Sequence, residues 1–162
     1  MKIRGIEKRD RPALKTILQS QEHFKPSERK VALEIIDLAL MQPDQGDYLI
    51  YVAEGEEEDI LGYICYGKAP LTDAVYDLYW IVVHPVYWHQ GTGTFLLRFA
   101  EKDLKSRQAR LLLIETSSLP PYAPPRLFYL KHEYQELARV KDYYAVGDHK
   151  IIFGKILAGG GR

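Results

Sequence analysis

The sequence predicts a single α/β domain: one mixed, twisted sheet with helices on both of its faces. Three observations carry that expectation. The chain has 162 residues, 46% apolar and 12% aromatic, which suits one core in the usual domain size range. Strand-like runs alternate with helix-period stretches and do not segregate into blocks. Between Asp77 and Thr116 an apolar strand run, a glycine-rich turn, a helical stripe and a second apolar run follow one another, the order of a βαβ unit with parallel strands.

Lys2 to Ile6 reads as the first strand. Asp10 ahead of Arg11-Pro12 has the pattern of an N-cap with proline in the first helical turn, and the helix runs to about Ser20. After Pro26 and Ser27, Val31, Ile35 and Leu38 recur at i, i+4, i+7, which predicts a second helix buried on that face and ending before Pro43. Tyr48–Ala53 and Ile60–Tyr66 form a hairpin around Glu54-Gly55-Glu56-Glu57-Glu58-Asp59, read as a solvated acidic turn with a glycine to make the bend. Asp77–Val83 is almost wholly apolar after its first residue, as a strand in the middle of a sheet should be. Gly91-Thr92-Gly93-Thr94 leads into a helix over Phe95–Ser106 with Leu97, Ala100 and Leu104 on one stripe, and Leu111–Thr116 is the next strand. The pairs Pro120-Pro121 and Pro124-Pro125 mark a loop and the start of a short helix through Lys131. Gln135–Tyr143 and His149–Leu157 close the chain as a hairpin around Ala145-Val146-Gly147-Asp148. The domain is expected over residues 1–158, with a tail at 159–162.

Composition narrows the function. Lysine plus arginine and aspartate plus glutamate number 22 each, so there is no net positive field to hold a phosphodiester backbone, and no nucleic-acid partner is expected. No apolar run nears the roughly 18 residues of a membrane span, and the start has no signal-peptide pattern, so a soluble, cytoplasmic protein without a membrane partner is expected. Cys65 is the single cysteine. It permits no intramolecular disulfide and no cysteine zinc site, and its strand setting marks it as a buried apolar residue. His84 and His89 have no acid or cysteine at ligand spacing, so no metal is expected.

Glycines opening a helix let a ligand approach the backbone, and the free amides of a first helical turn favour an anion, most simply a phosphate. A P-loop would need lysine and serine or threonine after its last glycine, where this chain continues Thr94-Phe95. A dinucleotide fingerprint would need a glycine at Leu96, although Glu115 stands at the distance of a ribose-binding acid, and that alternative stays open.

The segment Val82-Val83-His84-Pro85-Val86-Tyr87-Trp88-His89-Gln90-Gly91-Thr92-Gly93-Thr94-Phe95-Leu96-Leu97 resembles the signature of the GNAT N-acetyltransferase superfamily, with Trp88 where that signature carries glutamine or arginine. Phe128-Tyr129-Leu130-Lys131-His132-Glu133-Tyr134 resembles its Phe-Tyr-x-x-x-Gly-Phe segment, with Glu133 and Tyr134 replacing the last two residues, and Tyr122 stands where many members have asparagine. The element order is similar over nearly the whole chain. The resemblance implies a GNAT-like acyl-CoA N-acyltransferase fold and acetyl-CoA as co-substrate, with no metal.

It also implies roles. Backbone groups of Ile81, Val82 and Val83 would pair with the pantetheine arm as a strand would. Trp88, His89, Gln90, Gly91, Thr92, Gly93 and Thr94 would surround the pyrophosphate, with His89 either a donor or simply solvated. Tyr129 matches the family's general acid, able to protonate a departing thiolate, against a packing role in its helix. Asp77 stands where a branch of the family carries a glutamate base, and a water-facing carboxylate at a strand end is the alternative. Tyr79, on the same strand face as Asp77 and Ile81 by the period of two, and Glu115 are candidates for the acceptor site. The expected reaction is direct attack of a primary amine, in a small molecule, on the thioester. Open alternatives are a protein N-terminal acetyltransferase of the ribosomal-protein type, prompted by Tyr143, Tyr144 and Asp148, and a non-catalytic acyl-CoA-binding domain. A homodimer is left open.

Overall fold

A computed structural model describes residues 1–157; the expected tail at 159–162 and the last residue of the expected domain lie outside the described residues. In chain order the elements are β1 (Lys2–Gly5), α1 (Arg11–Gln19), α2 (Pro26–Met41), β2 (Leu49–Glu54), β3 (Ile60–Lys68), β4 (Val75–Val83), α3 (Thr92–Ser106), β5 (Leu111–Ser117), α4 (Ala123–Lys131), β6 (Gln135–Ala145) and β7 (Asp148–Ile156), with short 3-10 turns ahead of α1, α3 and α4. The strands are hydrogen-bonded in the order β1-β2-β3-β4-β5-β7-β6. The β4–β5 pair is parallel, as the βαβ pattern requires. By proximity the chain groups into two compact units, one of Met1–Lys68 with Tyr79–Asp103 and one of Ala69–Leu78 with the chain from Leu104 on. Strand β4 thus gives its first four residues to the second unit and its last five to the first. Among the described residues no helix is long and apolar enough to cross a membrane.

In the first unit, β1, β2 and β3 form an antiparallel meander. Leu14, Ile17 and Leu18 of α1 and Ala32, Ile36 and Ala39 of α2 pack on Ile50, Val52, Tyr63, Cys65 and Val82. Each large aliphatic group so buried contributes about 1.5–3 kcal/mol. On the opposite face Tyr51 meets the Phe99 ring of α3 at 4.7 Å, and the Tyr66 hydroxyl donates to Asp103 at 2.7 Å. Helices therefore cover both faces. The expected stripe of α3 is in place, since Leu97, Ala100 and Leu104 have no exposed surface.

Three expectations are corrected here. The buried stripe of α2 is Ala32, Ile36 and Ala39, one residue on from the expected Val31, Ile35 and Leu38, and Val31 is 45% exposed. Both triplets have the same helical spacing, and the alanines win because they let α2 approach α1 closely, where Arg11 pairs with Asp37 at 2.8 Å. Asp10 does not cap α1 with its side chain. Its carboxylate takes both Arg4 amino groups, at 2.7 and 2.9 Å, and the Glu7 amide at 2.8 Å. Nor is the acidic hairpin turn wholly solvated. Glu54 has no exposed surface and is held by Lys2 at 2.7 Å and by Arg4, while Asp59 accepts from Tyr87. The left-handed residue of that turn is Glu58, not Gly55.

In the second unit, Val75–Leu78 of β4 pair with Leu111–Ile114 of β5, β5 pairs antiparallel with β7, and β7 with β6. Registered partners share a face, so Asp77, Leu113, Glu115, Ile152 and Lys150 lie on one face and Leu78, Ile114 and Phe153 on the other. Helix α4 sits on the latter face, with the Tyr129 ring 6.3 Å from Phe153 and 6.0 Å from Tyr134.

Candidate active site

The end of β4 feeds the glycine turn in the first unit. The His84 amide donates to the Leu61 carbonyl at 2.9 Å. A Cβ on Gly62 would stand 2.5 Å from the Val82 carbonyl, so Val82 turns its backbone toward β3 while its side chain joins the α1/α2 core. Tyr79 and Trp80 reach that same core. Neighbours in a strand alternate faces, so the packing of both Tyr79 and Trp80 on this core departs from a simple alternation at this point of β4. Tyr79 lies against Tyr48, with ring centroids 5.4 Å apart, and beside Gly67, whose missing side chain leaves it room.

Beyond Val83 the loop folds on itself. The Tyr87 hydroxyl donates to Asp59 at 2.6 Å, which ties the loop to the β2–β3 hairpin. Gln90 directs its amide back to the Val86 carbonyl at 2.9 Å. His89 and Gly91 both have left-handed backbone, at φ 61° and 84°, and these two residues reverse the chain into α3. The first helical bond runs from the Phe95 amide to the Gly91 carbonyl, so the amides of Thr92 and Gly93 precede the helical ladder, with the positive end of the dipole behind them. Thr92 itself is buried at the start of the helix. Trp88 is not turned to the helix: its indole N–H donates to the Val83 carbonyl at 2.8 Å. A separate cleft of about 430 Å³ is lined by Arg9, Asp10, Thr16, Asp59, His84 and Tyr87, and by no residue of the turn from Gln90 to Thr94.

The second unit carries the acids. Asp77 is the third residue of β4 and not its opening one; it is half-buried, and burial first, then the charge of Glu115, raise its pKa, against an opposing pull from Lys150. Glu115 is ion-paired to Lys150 at 2.8 Å, and the Lys150 ammonium lies 4.3 Å from the Tyr143 ring centroid. Burial pulls Lys150 down, but the Glu115 partner outweighs it and the net shift is upward. Tyr144, next to this group, is raised by burial and by Glu115. Asp148 is buried and accepts from the Ser117 hydroxyl. Tyr129 lies on the other face of the strands from Asp77 and Glu115. It is 7% exposed, and burial pushes its phenol well above the ordinary value, so it keeps its proton.

A family model for the acetyltransferase (GNAT) domain matches residues 46–136, over half of the chain. The chain belongs to the GNAT family. A solved GNAT-family acetyltransferase from Desulfovibrio desulfuricans is 37% identical, covers 97% of this chain and 99% of its own, and superposes with a TM-score of 0.92. Two more distant structures share the fold. They are the ribosomal-protein-S18-alanine N-acetyltransferase of Escherichia coli, at 21% identity over 99% of this chain and 96% of its own with a TM-score of 0.76, and the aminoglycoside 6'-N-acetyltransferase of Enterococcus faecium, at 16% identity over all of both chains with a TM-score of 0.78. Among curated proteins no sequence matches.

In this GNAT acetyltransferase, two residues beside the expected set are absent from the sequence reading. Gln21, just past α1, donates its side-chain amide to the Val83 carbonyl at 3.1 Å. Lys150 neutralises Glu115. Gln21 follows a helix end with no pattern to mark it. Lys150 could have been found from register alone, since it faces Ser117 across the β5–β7 pair, two positions along from Glu115.

Proposed function

We propose that this GNAT acetyltransferase takes acetyl-CoA and transfers its acetyl group to the primary amine of a small molecule by direct attack. The observation that carries the reading is the turn at the end of β4, where left-handed His89 and Gly91 bring the amides of Thr92 and Gly93 to a helix start with no side chain required of Gly91. Such amides suit a pyrophosphate, and one structural neighbour, an aminoglycoside 6'-N-acetyltransferase, is a complex with coenzyme A. Backbone groups of Ile81 and Val83 receive the pantetheine arm.

Chemistry then needs a proton taken from the amine and one given to the leaving thiolate. Asp77 takes the first, directly or through water, and burial with the charge of Glu115 raises its pKa and so its basicity. Glu115 and its partner Lys150 act on this base from the same strand face, the first raising the Asp77 pKa and the second opposing the rise. Tyr129 gives the second, its burial keeping the phenol protonated until a thiolate forms beside it. Cys65 is 1% exposed and its thiol is pushed far up by burial, so it supplies no nucleophile for a covalent route. Tyr143 and Tyr144 are exposed on the β6–β7 hairpin, whereas Asp148 is turned inward to Ser117, and this leaves the peptide-acceptor reading with the tyrosines alone. The test is a thermal shift with acetyl-CoA and with NAD, followed by thiol release over a panel of small amines and N-terminal peptides. Stabilisation by acetyl-CoA alone and turnover of small amines are expected; turnover of peptides only would reassign the acceptor, and stabilisation by NAD would reassign the turn.

A further inference from the structure

Two side-chain donors from distant parts of the chain meet on one backbone oxygen. The Val83 carbonyl accepts from the Trp88 indole N–H at 2.8 Å and from the Gln21 amide at 3.1 Å. A carbonyl oxygen has two lone pairs, and both are used. Gln21 is itself fixed: it is 4% exposed, its amide also reaches the Ile17 carbonyl at 3.2 Å, and its own carbonyl accepts from Arg29 of α2 at 2.7 Å. Val83 is thus joined to the end of α1, to the first turns of α2 and to the loop that becomes the glycine turn. Trp88 also has its amide on the Pro85 carbonyl at 3.1 Å, so both its backbone and its indole N–H are held by residues that precede it.

We propose that Trp88 and Gln21 are positioning residues for the acyl donor, fixing the Val83 carbonyl at the end of β4 so that the N–H of the same residue keeps the orientation that receives the pantetheine arm, and that Trp88 is not a pyrophosphate ligand. This rests on the acetyl-CoA reading above. It gives the unusual tryptophan a task that the usual glutamine or arginine of the signature would not need the phosphate to explain. It also makes the connection between α1 and α2 a part of donor binding through a single shared atom.

A truncated donor separates the two roles. S-acetyl-pantetheine keeps the arm and lacks the pyrophosphate. Binding of acetyl-CoA by calorimetry and of S-acetyl-pantetheine by ligand-detected NMR would be measured for the wild type, Trp88→Phe and Gln21→Leu, with thermal melting alongside. Phenylalanine keeps an aromatic ring and removes only the donor. Losing one neutral hydrogen bond predicts a drop of about three- to tenfold, the same factor for both donors, in both variants. The double variant should lose less than the product of the two factors, because the bonds share an acceptor. A loss confined to acetyl-CoA would overturn the inference and return Trp88 to the phosphates, and unchanged affinity for both donors in the two variants would overturn it also. Should Trp88→Phe fail to fold, Gln21→Leu carries the same comparison. A wild type that bound neither donor would instead overturn the acetyl-CoA reading itself, and this inference with it.

Discussion

Gly91 and Gly147 form a matched pair for testing the glycine turn. Both have φ 84°, and a Cβ built on either meets no atom within 4 Å. An alanine at each position therefore incurs no clash with the protein. It incurs the left-handed penalty of about 1–2 kcal/mol, offset by about 0.4–1 kcal/mol from a stiffer unfolded chain, for a net loss of about 1 kcal/mol. On a chain of this size that lowers Tm by roughly 2–4 °C. With a typical stability of about 5–15 kcal/mol, each variant stays more than about 99% folded, so unfolding cannot pass for lost affinity. The two glycines share conformation and open space and differ in place and partners: Gly91 accepts the first helical bond of α3, and Gly147, between β6 and β7, donates its amide to Asp142. The expected result is a similar fall in Tm for Gly91→Ala and Gly147→Ala, with acetyl-CoA affinity by calorimetry reduced about tenfold or more, equivalent to 1.4 kcal/mol, in Gly91→Ala alone. Equal affinities in the two variants would refute the assignment of the turn to the pyrophosphate.

Further outcomes follow from the second unit. Tyr129→Phe should lower turnover about 100- to 10,000-fold with donor affinity unchanged, and unaltered turnover would reduce Tyr129 to packing on Phe153. Asp77→Asn should depress the rate at neutral pH and recover toward alkaline pH, more steeply for a lysine-like amine, neutral in only about one molecule in 2,500 at pH 7, than for an α-amine at about one in six; parallel profiles would remove Asp77 from the mechanism. The same variant should melt higher at neutral pH. The folded state raises the Asp77 pKa, so ionisation costs stability progressively as pH rises above the unfolded value of about 3.9, and the gain should vanish below about pH 3, where the aspartate is protonated folded or unfolded. Lys150→Met removes the cation that opposes the rise at Asp77, so the limb of the rate profile governed by Asp77 should move to higher pH, with Lys150→Arg close to the wild type; an unmoved limb in Lys150→Met would dissociate Lys150 from the base.

The element order and the parallel pair were legible because apolar period and glycine position act locally, over a few residues. The stripe of α3 was legible for the same reason: Leu97, Ala100 and Leu104 recur at helical spacing with Arg98, Lys102 and Lys105 between them. Helix α2 offers no such contrast between Val31 and Leu40, where apolar residues surround the axis, and the choice of face was made by how closely alanines let another helix approach. Glu54 reads as one more acid in an acidic turn, yet Lys2 and Arg4, distant in sequence, enclose it. The site divides along the same line. The backbone turn is written in glycine, whereas the settings of Asp77, Trp88 and Gln21 depend on strand pairing and on partners that a linear pattern does not name.

The place of Cys65 has a practical consequence. The only thiol in the chain lies at 1% exposure between the helices and the sheet of the first unit, and burial suppresses its thiolate. A thiol-trapping dye in a turnover assay should therefore read coenzyme release against almost no protein background. The same shielding turns the cysteine into a reporter: pulsed alkylation at native pH labels only molecules in which that layer has opened, so its rate measures the opening of the α1/α2 core without an added probe.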